Sequence, residues 1–121
     1  MPVPVPLYQH KAEFFRMLGH PVRIRVLELL GDGPKAVRDL LSDVEIEASS
    51  MSQQLAVLRR AGVINKIPDG RYALAGPDVA ELMGAARRFL THLMVGQNEL
   101  LDALRDEAEA APRHEPVLDR M

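Results

Sequence analysis

Apolar residues along this chain take up helical spacing five times and strand-type runs twice. Leu7, Phe14, Phe15 and Leu18, with Lys11 between them, predict a first helix over 7–18 that Gly19 stops. Pro21 suits the first turn of a second helix over 21–30, with Ile24, Leu27 and Leu30 inward. Gly31-Asp32-Gly33-Pro34 is a turn, and 35–42 reads as a short third helix with Val37, Leu40 and Leu41 inward. Met51, Leu55 and Leu58 recur at i, i+4 and i+7 and predict a fourth helix over 48–61, ended at Gly62. Its cap is Glu47, Ser49, or Ser50 in a capping box with Gln53. The runs 63–67 and 71–75 flank Pro68-Asp69-Gly70 and predict a β-hairpin. Gly76-Pro77-Asp78 then opens a long last helix. Its stripe runs through Val79, Leu82, Met83, Ala86, Phe89, Leu90, Leu93, Met94, Leu100, Leu101 and Leu104, with Gly96 as a weak point.

The fourth helix has an unusual polar end. Ser49, Ser50, Ser52, Gln53 and Gln54 crowd its first two turns, and no carboxylate occurs from Ala48 to Gln54. Hydroxyls and amides both donate and accept, as base edges in the major groove require, whereas a carboxylate there would repel phosphate. Arg59 and Arg60 follow near the helix end, where cations suit the dipole. A helix of this kind followed at once by a short hairpin carrying Lys66 and Arg71 has the layout of a winged helix-turn-helix. The plainer reading is a capped amphipathic helix with a bland surface beside a solvated hairpin tip.

Charge distribution changes the picture more than net charge does. The net charge is −2, yet between Ser49 and Arg71 four cations face Asp69 alone. From Glu99 to Asp119, by contrast, seven acids stand against Arg105 and Arg113. A local basic face matters more for phosphate contact than the sum. With 121 residues the chain has room for one domain with a modest core. Residues 1–6 form a proline-spaced lead-in, 7–107 the folded domain and 108–121 an acidic, loose tail. The absence of cysteine excludes disulfides, thiolate metal sites and a cysteine nucleophile. No apolar run approaches a membrane span and no signal-peptide pattern opens the chain, so a cytoplasmic protein is the default. Hydrolase, phosphate-loop and metalloprotease motifs are missing, and the histidines are scattered, which argues against an enzyme.

Met17-Leu-Gly-His-Pro-Val-Arg-Ile-Arg-Val-Leu-Glu-Leu-Leu30 resembles the opening of the ArsR/SmtB family of bacterial repressors. Ser49 to Val63 resembles that family's recognition helix, and the likeness runs from Tyr8 to Leu93. The resemblance implies a homodimeric winged helix-turn-helix, mainly α with a small β-hairpin wing, in which first and last helices form the dimer interface. Leu7, Phe14, Phe15, Phe89, Leu90, Leu93 and Leu100 are the interface residues it assigns here. A long apolar stripe on a domain this small points the same way, since one chain cannot bury it all. The partner implied is double-stranded DNA. Ser49, Ser50, Gln53 and Gln54 would read bases, Ser52 or Arg59 would meet phosphate, and Arg60, Lys66 and Arg71 would support them.

The ligands of the family's metal sensors are missing from their places. Where the thiolate sensors carry cysteines, this chain has Ala36-Val37-Arg38-Asp39. Where zinc and nickel sensors carry Asp-x-His and a later His pair, it has Asp78-Val79-Ala80, Thr91 and Met94. The sequence is therefore similar to a branch without the metal cysteines, and the expectation is no cofactor, no metal, and an inducer that the residues do not name. A nonstandard site from His10, His92, Glu99 and His114 is the remaining metal alternative. His20, before Pro21, reads as a helix cap. The wing is shorter than in many relatives, with five residues between Gly70 and Gly76. The competing class of function is a winged-helix interaction module that binds a protein and no DNA.

Overall fold

A computed structural model describes residues 3–110, and side chains as far as residue 107. The elements in order are α1 (Leu7–Leu18), α2 (Pro21–Leu30), α3 (Val37–Asp43), α4 (Ala48–Arg60), β1 (Ile64–Lys66), β2 (Tyr72–Leu74) and α5 (Pro77–Ala110). The fold is mainly α with one antiparallel hairpin, as the spacing predicts. The described residues divide into two units, one ending at Met83 and the other beginning at Gly84.

In the first unit α2 is the most heavily buried helix, with four buried residues among its ten. The sequence puts Ile24, Leu27 and Leu30 inward, but Val26, Leu27, Leu29 and Leu30 are the buried set, and Ile24 is only partly covered. The reason is that α2 touches α4 and β2 as well, so more than one stripe is covered. Leu18, Leu40, Val44, Met51, Leu55, Leu58, Val63 and Ile64 complete the core, and Val79, Leu82 and Met83 from the start of α5 pack on it. The α2 start is capped by His20, whose Nδ1 accepts from the Val22 N–H at 3.2 Å.

Two helix bounds are corrected, and a cap left open is decided. The third helix begins at Val37, not Lys35. Lys35 is drawn into extended pairing with β2: its N–H donates to the Tyr72 carbonyl at 2.9 Å and its carbonyl accepts from the Tyr72 N–H at 2.8 Å. Lys35 thus adds a single-residue third strand position beside β2. At the start of α4 the cap position is Glu47, with no side-chain capping bond, and the Ser50–Gln53 box does not form because Ser50 already lies inside the helix. At its end α4 stops after Arg60 rather than 61.

That stop fixes how the wing leaves the helix. Gly62 has φ +82°, the left-handed conformation in which a side chain is strained. The Gly62 N–H donates to the Arg59 carbonyl at 3.0 Å and the Val63 N–H to the Leu58 carbonyl at 3.2 Å, a Schellman pair. Val63 and Leu58 are both buried, which supplies the apolar contact such an ending favours. Strand pairing is Ile64↔Leu74, Asn65↔Ala73 and Lys66↔Tyr72. The turn is a three-residue loop: the Gly70 N–H donates to the Ile67 carbonyl at 2.9 Å, and Gly70 has φ +92°.

Helix α5 starts on Pro77, where a missing N–H costs nothing, and runs unbroken through Gly96 to Ala110. The described part of the second unit is helix alone, and it exposes Phe89, Leu90, Leu93, Met94, Val95 and Leu100. Of the tail expected over 108–121, residues 108–110 still belong to α5, and the rest, with His114, lies outside the described residues.

Candidate nucleic-acid interface

Helix α4 sorts its polar residues by angle. With Met51, Leu55 and Leu58 buried, a helix turning roughly 100° per residue puts Ser49, Gln53, Ala56 and Arg60 on the opposite meridian. All four are exposed. Ser52 and Arg59 are exposed on one flank, while Ser50 and Gln54 are half-buried on the other. Among the described residues no side-chain hydrogen bond or ion pair within the chain engages Ser49, Ser52, Gln53, Arg59 or Arg60.

Gln54 differs. Its Oε1 accepts from Arg23 Nε at 2.8 Å, and Arg23 Nη1 also donates to the Met17 carbonyl at 2.8 Å. The two glutamines, equivalent in the sequence reading, are thus distinct: Gln53 is free and Gln54 is engaged. Arg23 was not singled out from the sequence. A signal for it does exist, because a cation in the first turn of a helix opposes the dipole and calls for acceptors of its own.

The wing cations are also partnered. Arg71 Nε meets Asp69 Oδ2 at 2.8 Å, and the Arg71 N–H donates to Asp69 Oδ1 at 3.0 Å. Asp69 is held below the ordinary carboxylate value, first by that backbone hydrogen bond and then by the guanidinium's hydrogen bond and charge. Lys66 Nζ lies over the Tyr72 ring at 5.7 Å from its centroid, across the hairpin.

On α1, Leu7 and Phe15 are exposed, at 67% and 55%, and Phe14 is half-buried with its ring edge-on to Phe15 at 5.6 Å. A groove of about 460 Å³ lined by Lys11, Phe14, Phe15, Asp78, Val79 and Leu82 continues this apolar face. Among the described residues no three His, Asp or Glu side chains converge as a ligand group, and no helix is long and apolar enough to cross a membrane.

Residues 20–66 match the bacterial regulatory protein family described as arsR. Over 104 residues the chain is 50% identical to the HTH-type transcriptional regulator Rv0081 of Mycobacterium tuberculosis, spanning 83% of this chain and 91% of that protein. The chain belongs to the ArsR family. This ArsR-family protein is a transcriptional regulator, not an enzyme. It is also 34% identical to the regulator NmtR of M. tuberculosis, over 73% of this chain and 76% of that one. The crystal structure of M. tuberculosis Rv0081 matches it with a TM-score of 0.70, covering 78% of this chain and 98% of that one at 50% identity. The transcriptional repressor BigR from Xylella fastidiosa matches with a TM-score of 0.61 at 27% identity, covering 71% of this chain and 88% of that one. The order α3–α4–β1–β2 is that of a winged helix-turn-helix, with the β1–β2 hairpin as its wing.

Proposed function

We propose that this ArsR-family regulator is a homodimeric repressor that binds a palindromic operator through α4. The observation that carries the reading is the acid-free outward meridian of α4, where Ser49, Gln53 and Arg60 stand exposed. Ser49 and Gln53 read base edges. A glutamine amide pairs in bidentate fashion with adenine, at about 1–3 kcal/mol of discrimination per good pair. Ser52 and Arg59 on the flank and Arg60 at the far end meet phosphate, and Ser50 and Gln54 support the same turn from the side facing the protein. Lys66 and Arg71 lie at the wing, partnered within the hairpin, and give it a lesser role. Dimerisation through α1 and α5 covers Leu7, Phe14, Phe15, Phe89, Leu90, Leu93 and Leu100 and spaces two recognition helices about 34 Å apart, one helical turn of DNA. That a solved relative is described as a repressor supports the direction of control.

The test is fluorescence anisotropy on a duplex selected by the wild-type protein from random sequence, beside a scrambled duplex, across a salt series. Gln53→Ala should weaken the selected duplex and leave the scrambled one almost unchanged. Arg59→Ala or Arg60→Ala should weaken both alike and flatten the salt slope by about one contact per protomer. If Gln53→Ala binds both duplexes as wild type does, α4 is not the reader and an interaction module without DNA binding takes its place.

A further inference from the structure

The contact between Arg23 and Gln54 is the one hydrogen bond between side chains of different helices among the described residues. Arg23 sits in the first turn of α2, against the dipole of its own helix. It is held there by two acceptors. One is the Met17 carbonyl at the C-terminal end of α1, where the dipole favours a cation. The other is the amide oxygen of Gln54, in the second turn of α4. Both distances are 2.8 Å, and Arg23 and Gln54 are half-buried. A planar guanidinium with rigidly placed donors can satisfy both acceptors at once, and a lysine ammonium on its flexible stem is a poor substitute. The turn of α4 that this contact holds is the one that presents Gln53.

We propose that Arg23 is a positioning residue for base reading, clamping Gln54 so that α4 stands at a fixed angle to α1 and Gln53 meets its base in register. Gln54 is then an anchor that touches protein, not a reader that touches DNA. The inference rests on the proposed reading of DNA by α4. It adds a specificity-setting residue that lies outside the recognition helix, and it links that helix to α1.

The decisive substitution is Gln54→Glu. A carboxylate keeps the acceptor for Arg23 but loses the amide donor and brings charge that an adenine contact beside phosphate would not tolerate. Under the clamp, Gln54→Glu keeps its preference for the selected duplex within about twofold, whereas Gln54→Met and Arg23→Ala each lose about tenfold, the size of one well-made base contact. The double variant Arg23→Ala/Gln54→Met is no worse than either single one, because both cut the same link. Arg23→Lys does not restore the preference. In each case scrambled-duplex binding and its salt slope stay as in wild type, which a misfolded protein or a lost phosphate contact would not produce.

Three results overturn the proposal. If Gln54→Glu falls as far as Gln54→Met, Gln54 reads DNA directly. If Arg23→Ala weakens both duplexes alike and flattens the salt slope, Arg23 is a phosphate contact. If Arg23→Ala and Gln54→Met leave the preference intact while Gln53→Ala abolishes it, α4 reads without a clamp. Failure of the underlying reading is distinct: there, Gln53→Ala itself leaves the preference untouched.

Discussion

Replacing Asp69 with Asn should turn a self-neutralised wing tip into a cationic one. In the wild-type chain Asp69 engages both the backbone and the guanidinium of Arg71, at 3.0 and 2.8 Å. Its carboxyl titrates below the usual 3.8 because the ionised form is favoured. A depressed value means the lock is fully present above the ordinary carboxylate value and is lost only as pH falls through the lowered one. It therefore holds throughout the neutral range. The pair is exposed, so its loss should leave folding unchanged. What changes is the charge offered to DNA, since each protomer loses an acid and frees a guanidinium. Each phosphate neutralised adds about 0.9 to the slope of log affinity against log salt, so two wings add about 1.8. Across a fourfold rise in salt that amounts to about tenfold more affinity lost, with correspondingly tighter binding at the low-salt end. Anisotropy on a scrambled duplex measures this without any base reading. Arg71→Ala in the Asp69→Asn background should return the slope to the wild-type value. A slope that does not steepen, or that stays steep after Arg71 is removed, refutes the lock.

Gly62→Ala should destabilise the chain by about 1 kcal/mol, because φ is +82° there while nothing crowds the added Cβ, so the whole cost is backbone conformation. Thermal unfolding should show a drop of about 4–8 °C, and Gly96→Ala, equally open, inside α5 and without the positive φ, should show none. Light scattering at micromolar concentration should give about twice the 13.4 kDa chain mass, and Leu93→Glu should halve it, since a charge buried in an apolar interface is costly. A wild-type monomer with intact helix content would remove the dimer. Zinc, nickel, cobalt and arsenite should leave a protein–DNA complex intact. A micromolar metal that dissociates it, and fails to do so with His92→Ala, would establish a histidine site instead.

The elements of this fold were legible because each is announced by local chemistry. Gly19, Gly31 and Gly62 follow the ends of α1, α2 and α4, Pro21 and Pro77 open α2 and α5, Met51, Leu55 and Leu58 keep period, and Pro68-Asp69-Gly70 turns the hairpin. What the residues did not show is what depends on a neighbour far away in sequence. Val26 and Leu29 look like the outer side of an amphipathic helix until α4 and β2 both cover α2. Lys35 looks helical until the backbone of Tyr72 claims both its hydrogen-bonding groups.

The candidate site divides along the same line. That α4 is polar and acid-free on one side can be read from its own residues. Which of two adjacent glutamines faces outward follows from the same stripe, since they differ by one step of roughly 100° around the helix, but that one of them is held by another helix does not. That step carries Gln54 to the edge of the buried stripe, where Arg23, 31 residues earlier in the chain, takes its amide oxygen. A reader helix therefore needs more than the right side chains on its outer face. It needs its angle set from behind, and here that is done by a residue whose own helix disfavours its charge, which is why the charge turns outward to two neighbours.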